Sequence, residues 1–161
     1  MREQEMKTAV VYYSLTGNCD HVAEKIPADR LRIEPVKAYP ASGAKKFYWG
    51  GKSAMMAEEP ALKPYDFHAE DHDCIILGFP VWAFTVAPPL RTFIAENKEA
   101  LQKRKVAAYA CCSGLKGEKA LDKLEKILGK PLAARLLLID PLNGKDQDLE
   151  KKLESFLKEL K

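Results

Sequence analysis

Residues able to hold a ligand cluster in one short stretch, Ser14-Leu15-Thr16-Gly17-Asn18-Cys19. Ser14, Thr16 and Asn18 bring side-chain hydrogen-bond donors, and Gly17 lets the backbone wrap closely around a bound group. The stretch follows the apolar run Thr8-Ala9-Val10-Val11-Tyr12-Tyr13 and precedes a helical pattern carrying Val22, Ala23 and Ile26. It is therefore the turn from a buried strand into a helix, where unpaired backbone N–H groups and the helix dipole stabilise an anion. No Lys or Arg lies in the loop. A phosphate held there is held by neutral donors, each charge-assisted bond contributing roughly 1.5–3 kcal/mol. The same residue types also suit a capped turn that binds nothing, so the loop alone leaves both readings open.

A second stretch resists explanation by packing. Pro80-Val81-Trp82-Ala83-Phe84-Thr85 follows the buried strand 73–79 and precedes Pro88-Pro89, and is expected to be a turn-rich loop. Large aromatics in a loop can stack on a planar ring and shield it from water, each stack contributing about 0.5–1.5 kcal/mol beyond burial. The alternative is that one of them tucks under the loop into the core. A third loop, Cys112-Ser113-Gly114-Leu115, leaves the strand at 106–111.

The elements that carry these loops alternate. Strands are expected at 7–13, 31–36 (an edge strand, since Pro35 is tolerated only at an edge or a strand end), 73–79, 106–111 and 134–139. Helices are expected at about 17–27, from Pro88 or Pro89 onward, at about 117–128 with Gly129 as its stop, and at about 146–160. Residues 37–71 are the least regular part; a short helix over about 44–57 would present Phe47, Tyr48, Met55 and Met56, although Gly50-Gly51 weakens it. That segment either carries part of a site or only covers a sheet face. Five strand–helix alternations predict an α/β protein with a doubly wound five-stranded parallel sheet of order 2-1-3-4-5, in a three-layer α/β/α sandwich. Its ligand crevice lies outside the carboxyl ends of the strands at the switch point, where the three loops converge.

The 161 residues suit one domain, and 47% apolar with 30% charged residues is the composition of a soluble globular protein. No apolar stretch reaches the roughly 18 residues of a membrane span, and the polar start Met1-Arg2-Glu3-Gln4-Glu5 is unlike a signal peptide, so a cytoplasmic location without membrane partners is expected. The four cysteines, Cys19, Cys74, Cys111 and Cys112, lack disulfide or metal spacing, and His21, His68 and His72 are scattered, so reduced thiols and no metal are expected. A net charge of +3 is mild, and Lys103-Arg104-Lys105 reads as a solvated loop rather than a nucleic-acid patch. A receiver-type signalling domain needs acidic residues where Tyr13-Ser14 and Phe79-Pro80 stand. A low-molecular-weight phosphatase needs an Arg where Lys25 stands, and no glycine-rich dinucleotide or NTPase motif follows the first strand.

Ser-x-Thr-Gly-Asn-Cys after the first strand resembles the phosphate loop of flavodoxins and flavodoxin-like FMN proteins, with Cys19 at a position where Thr is usual. Gly78-Phe79-Pro80-Val81-Trp82 is similar to their second flavin loop, and Cys112-Ser113-Gly114 resembles the third. The likeness covers nearly the whole chain, including Phe47-Tyr48 and Gly50-Gly51. It implies non-covalent FMN, with the phosphate in Ser14–Cys19 and the ring between Pro80–Thr85 and Ser113–Leu115. Backbone groups near Ala83 to Thr85 would face flavin N5. The third loop offers no aromatic to cover the outer ring face, and the net charge is positive where low-potential carriers are acidic. Both features point to a small FMN-dependent oxidoreductase linked to NAD(P)H or a quinone. The alternatives are an electron carrier that serves a redox partner protein and a flavin-free binding domain.

Overall fold

Uninterrupted apolar strands need cover on both faces. The computed structural model, which describes residues 6–40, 43–114 and 117–161 and the backbone alone over 43–48, supplies it. The elements in chain order are β1 (Thr8–Tyr12), α1 (Asn18–Ala23), β2 (Asp29–Arg32), α2 (Gly43–Met55), β3 (Cys74–Trp82), β4 (Thr85–Val86), α3 (Pro88–Gln102), β5 (Lys105–Cys112), α4 (Glu118–Leu128), β6 (Arg135–Ile139) and α5 (Leu149–Glu159). Five strands pair in parallel in the order β2-β1-β3-β5-β6, and the two-residue β4 pairs antiparallel with the end of β3. Leaving β4 aside, this is the expected 2-1-3-4-5 order. Ile75, Leu77 and Phe79 pack with Leu90, Phe93 and Ile94 of α3 and Leu121, Leu124 and Leu128 of α4. On the other face Val10, Ile76 and Leu138 pack with Val22 of α1 and with Leu149, Leu153 and Phe156 of α5.

Several boundaries differ from expectation, each for a local reason. The strand β3 runs through Pro80 to Trp82 instead of ending at Phe79. Its pairing with β1 stops at Gly78 while its pairing with β5 continues through Pro80↔Cys111. A proline is tolerated there because one side of the strand has become an edge. The expected loop is then a hairpin, with Trp82 opposite Thr85. Its two turn residues, Ala83 (φ 49°) and Phe84 (φ 61°), both occupy the left-handed region without being glycine. Such positions each cost about 1–3 kcal/mol, which the flanking strands must impose.

The edge strand β2 ends at Arg32, not at Val36. Ile33 still donates to the Tyr12 carbonyl (2.9 Å), after which Val36 donates to Ala61 and Lys63 to Glu34, each at 2.8 Å. So residues 34–36 leave the sheet and tie down the far end of the irregular segment. Helix α2 stops at Met55, and Met55 and Met56 are exposed; among its described side chains Gly50, Ser53 and Ala54 are buried. Phe47 and Tyr48, the other two expected apolar contacts, lie outside the described side chains.

One of the contacts that hold α1 on the sheet depends on a glycine. A Cβ on Gly78 would fall inside the phenol of Tyr109, so the bare backbone of β3 lets that ring lie across it. The Tyr109 hydroxyl then donates to the Cys19 carbonyl at 2.9 Å. Replacing Gly78 by Ala should cost about 1–3 kcal/mol or more through overpacking, read as a lower urea midpoint with unchanged slope; an unchanged midpoint would show that the ring can move aside.

Candidate functional site

A cavity of about 570 Å³ opens at the carboxyl ends of β1, β3 and β5. Of the residues expected to form the site, Leu15, Thr16, Asn18, Pro80, Val81, Trp82, Ala83 and Ser113 line it. Its remaining lining comes from Gly51, Cys111, Cys112, Asp140, Leu142 and Asn143. No Lys or Arg contributes among the described residues.

The first loop is shaped by its own short side chains. Ser14 is buried, and its Oγ accepts from the N–H of Gly17 (3.2 Å) and of Asp20 (3.3 Å). Its oxygen is thus occupied in holding the turn. Gly17 sits at φ 101°, and a Cβ there would lie 3.1 Å from Leu142. Asn18 accepts the Leu142 N–H on Oδ1 at 3.0 Å, which leaves its amide NH2 as a donor. Among the described residues the N–H groups of Leu15, Thr16, Asn18 and Cys19 have no protein partner. Free N–H groups beside a hydroxyl and an amide form the donor set of a phosphate cradle. Cys19 differs from expectation in that its side chain turns into the core beside Cys111. Burial, then the neighbouring Cys111 thiol, pushes the Cys19 thiol well up, and burial also raises Cys112. Both stand as neutral thiols at neutral pH, poor nucleophiles.

The second loop supplies a wall. Trp82 is half-buried and meets Tyr13 edge-on at 5.7 Å and Tyr39 at 5.1 Å. A Cβ on Gly50 would lie 3.3 Å from the indole, so α2 lays a bare stretch of backbone on its outer face. Tyr39 is itself held, its hydroxyl 2.7 Å from Ser53 Oγ, which donates to Glu58 at 3.0 Å. The first glycine of the pair that weakens the helix prediction is what admits this packing. Phe84 and Thr85 do not line the cavity. Phe84 is exposed at the hairpin tip, and Thr85 is buried with its Oγ1 accepting from Arg91 at 3.2 Å. In the third loop Ser113 and Gly114 are exposed, and the Gly114 carbonyl accepts from the Cys112 thiol at 3.3 Å. Leu115 lies outside the described residues.

The sequence reading missed a fourth loop. Pro141 and Gly144 mark the end of β6, but the turn between them, Pro141–Asn143, reaches back to α1 and closes the cavity. Asp140 takes φ 38° to enter it and lies 3.5 Å from Lys145. The only earlier signal is the Asn143-Gly144 pair, a turn marker that carries no direction. Asp146 holds the loop's far end: its buried carboxylate accepts the Ile139 N–H at 3.1 Å and pairs with Lys152 at 2.9 Å. The irregular segment serves both expected roles, since Tyr39, Gly50 and Gly51 belong to the site while Tyr65 and Phe67 cover Phe93 at 5.5 and 5.0 Å.

These features define a doubly wound α/β protein with a loop of unpaired N–H groups and an aromatic-walled cavity at its switch point. A family model described as flavodoxin matches residues 7–138, and the chain belongs to that family, whose cofactor is FMN. Among solved structures, a flavoprotein in complex with FMN from Lactobacillus acidophilus superposes with a TM-score of 0.72 at 18% identity, covering 92% of this chain and 99% of that one. The Trp repressor binding protein from Bacillus subtilis gives 0.59 at 17% identity, over 92% and 97%. The two-electron reduced flavodoxin of Megasphaera elsdenii gives 0.52 at 15%, over 92% and 99%. These likenesses are of fold. No curated protein matches in sequence. Among the described residues no helix is long and apolar enough to cross a membrane.

Burial pushes the Asp146 carboxyl up, but Lys152 and the Ile139 N–H outweigh it, leaving its pKa below the ordinary carboxylate value. A depressed folded-state pKa adds stability above the unfolded value, lost as pH falls through the folded one. Asp146→Asn should therefore cost roughly 1–2 kcal/mol at pH 7. The gap from wild type should narrow below pH ~4; urea melts at both pH values check this, and an equal gap at both would contradict it.

Proposed function

We propose that this chain binds FMN without a covalent link and works as a small flavin oxidoreductase linked to NAD(P)H or a quinone. The observation that carries the reading is the gathering of three strand-exit loops around one cavity, with neutral donors at one end and Trp82 at the other. The donor set fits a phosphate monoester: free N–H groups of the first loop, the Thr16 hydroxyl and the Asn18 amide, with no cation among the described lining residues. Cys19, with its thiol in the core, offers its N–H in place of the usual hydroxyl.

Bound FMN would supply the electron or hydride chemistry, which asks no acid or base of the protein. The chain's residues bind and orient. Pro80, Val81 and Trp82 give an apolar wall that excludes water from one side of the slot. The hairpin backbone at Ala83 is held in a strained conformation by the Val81↔Val86 and Trp82↔Thr85 pairs, which fixes the position of its polar groups. Ser113 and Gly114 are small and exposed, so among the described residues of this loop no large side chain competes with a second planar molecule. A net charge of +3 favours the anionic reduced cofactor and an electron-accepting role from NAD(P)H; one charge about 10 Å away at an effective dielectric of 20–40 amounts to roughly 1 kcal/mol.

The purified protein with added FMN should show the absorbance bands of oxidised flavin, perturbed from those of the free compound. Changing Thr16 and Asn18 together to Ala should weaken FMN binding by roughly tenfold or more, from loss of at least one charge-assisted bond. Unaltered affinity in that double variant would refute the cradle. Steady oxidation of NADPH with a quinone acceptor is expected of the FMN-loaded protein; tight FMN binding without turnover would assign it to electron carriage instead.

A further inference from the structure

The phosphate loop contains no cation, yet one guanidinium stands directly behind it. Arg32, at the end of β2, donates from Nη2 to the carbonyl of Ser14 at 2.9 Å. Its Nη1 pairs with Asp20 Oδ2, and its Nε lies 3.2 Å from Glu34. The other Asp20 oxygen accepts the Tyr12 hydroxyl at 2.6 Å, and the Asp20 N–H goes to Ser14 Oγ. Both ends of the loop, residues 14 and 20, are thus held by one side chain from a neighbouring strand.

The direction of that hold matters. The Ser14 carbonyl and the Leu15 N–H belong to one trans peptide and point in opposite directions. Drawing the carbonyl oxygen back onto Arg32 aims the Leu15 N–H the other way, at the cavity that Leu15 lines. It also removes from the cavity an oxygen that would repel an anion. Asp20 and Glu34 offset the guanidinium charge, so Arg32 acts on the ligand through geometry more than through its field.

We propose that Arg32 is the positioning residue of the phosphate loop, holding Ser14 and Asp20 so that the loop's N–H groups receive the phosphate of FMN. This rests on the FMN reading of the cavity. The test compares FMN with riboflavin, which has the same ring and no phosphate, by fluorescence titration of the apoprotein. Arg32→Ala should weaken FMN by about tenfold to a hundredfold, the loss of one charge-assisted bond, while riboflavin affinity changes by less than about twofold. Arg32→Lys, which keeps the charge but not the two-armed reach, should recover little. Asp20→Asn, which keeps the side-chain shape, gives the same selective loss to a smaller degree and serves if Arg32→Ala does not fold. Equal weakening of both ligands, full recovery by Arg32→Lys, or unchanged FMN affinity in both Arg32→Ala and Asp20→Asn would overturn the role of Arg32. Failure of the wild-type protein to bind FMN would instead remove the cofactor reading, and this inference with it.

Discussion

The site depends on a buried hydroxyl that must find a partner. Tyr109 is fully buried, and a phenol so placed is costly unless it donates a hydrogen bond. The nearest solution open to it is the Cys19 carbonyl, reached by crossing the backbone of Gly78. That bond joins two strands to the first turn of α1. A helix of six residues has little stability of its own, so its position is set from outside: by Tyr109 beneath, by Tyr12 and Arg32 on one side, and by Leu142 on the other. The placing of the loop is therefore a product of tertiary contacts, while its own sequence supplies the donors, the Ser14 hydroxyl that accepts two of its backbone N–H groups and the one glycine that the turn requires.

The aromatic wall follows the same logic at larger scale. Trp82 is placed by a hairpin whose turn residues are unsuited to their conformation, and the strain is held by pairing on either side. Tyr13 and Tyr39 meet the indole edge-on, the favourable arrangement for aromatic quadrupoles. The Tyr39–Ser53–Glu58 chain then couples the irregular segment to the wall.

What was legible in the sequence follows from which features are local. The continuous apolar runs of β1, β3 and β5 and the leucine spacing of α4 and α5 read directly, because burial on both faces or along one stripe leaves a periodic mark. The Gly129 stop read correctly for another local reason, glycine's ease in the left-handed conformation, which it takes at φ 77° after Leu128. Pro80 misled, since a proline marks a break unless one knows that the neighbouring strand has already ended. Gly50 misled in the opposite direction, because a penalty in helix propensity conceals a gain in packing against Trp82, far along the chain. The role of Arg32 left no trace and the Pro141–Asn143 turn only a marker without direction: their partners at Ser14, Asp20 and Asn18 are distant in the chain, and nothing in a charged strand end or a short turn says which way it faces.

Gly51 has an implication for the breadth of the slot. Unlike its neighbour, it has none of the described residues where a methyl group would go, and it forms part of the cavity boundary. Glycine inside a helix costs about 1 kcal/mol relative to alanine, and here no close packing offsets that cost. The missing side chain is expressed as free volume at the cavity wall. Position 51 is thus a place where the dimensions of the admitted molecule could be altered independently of the frame, and where a bulkier residue would narrow the opening while making the helix itself firmer.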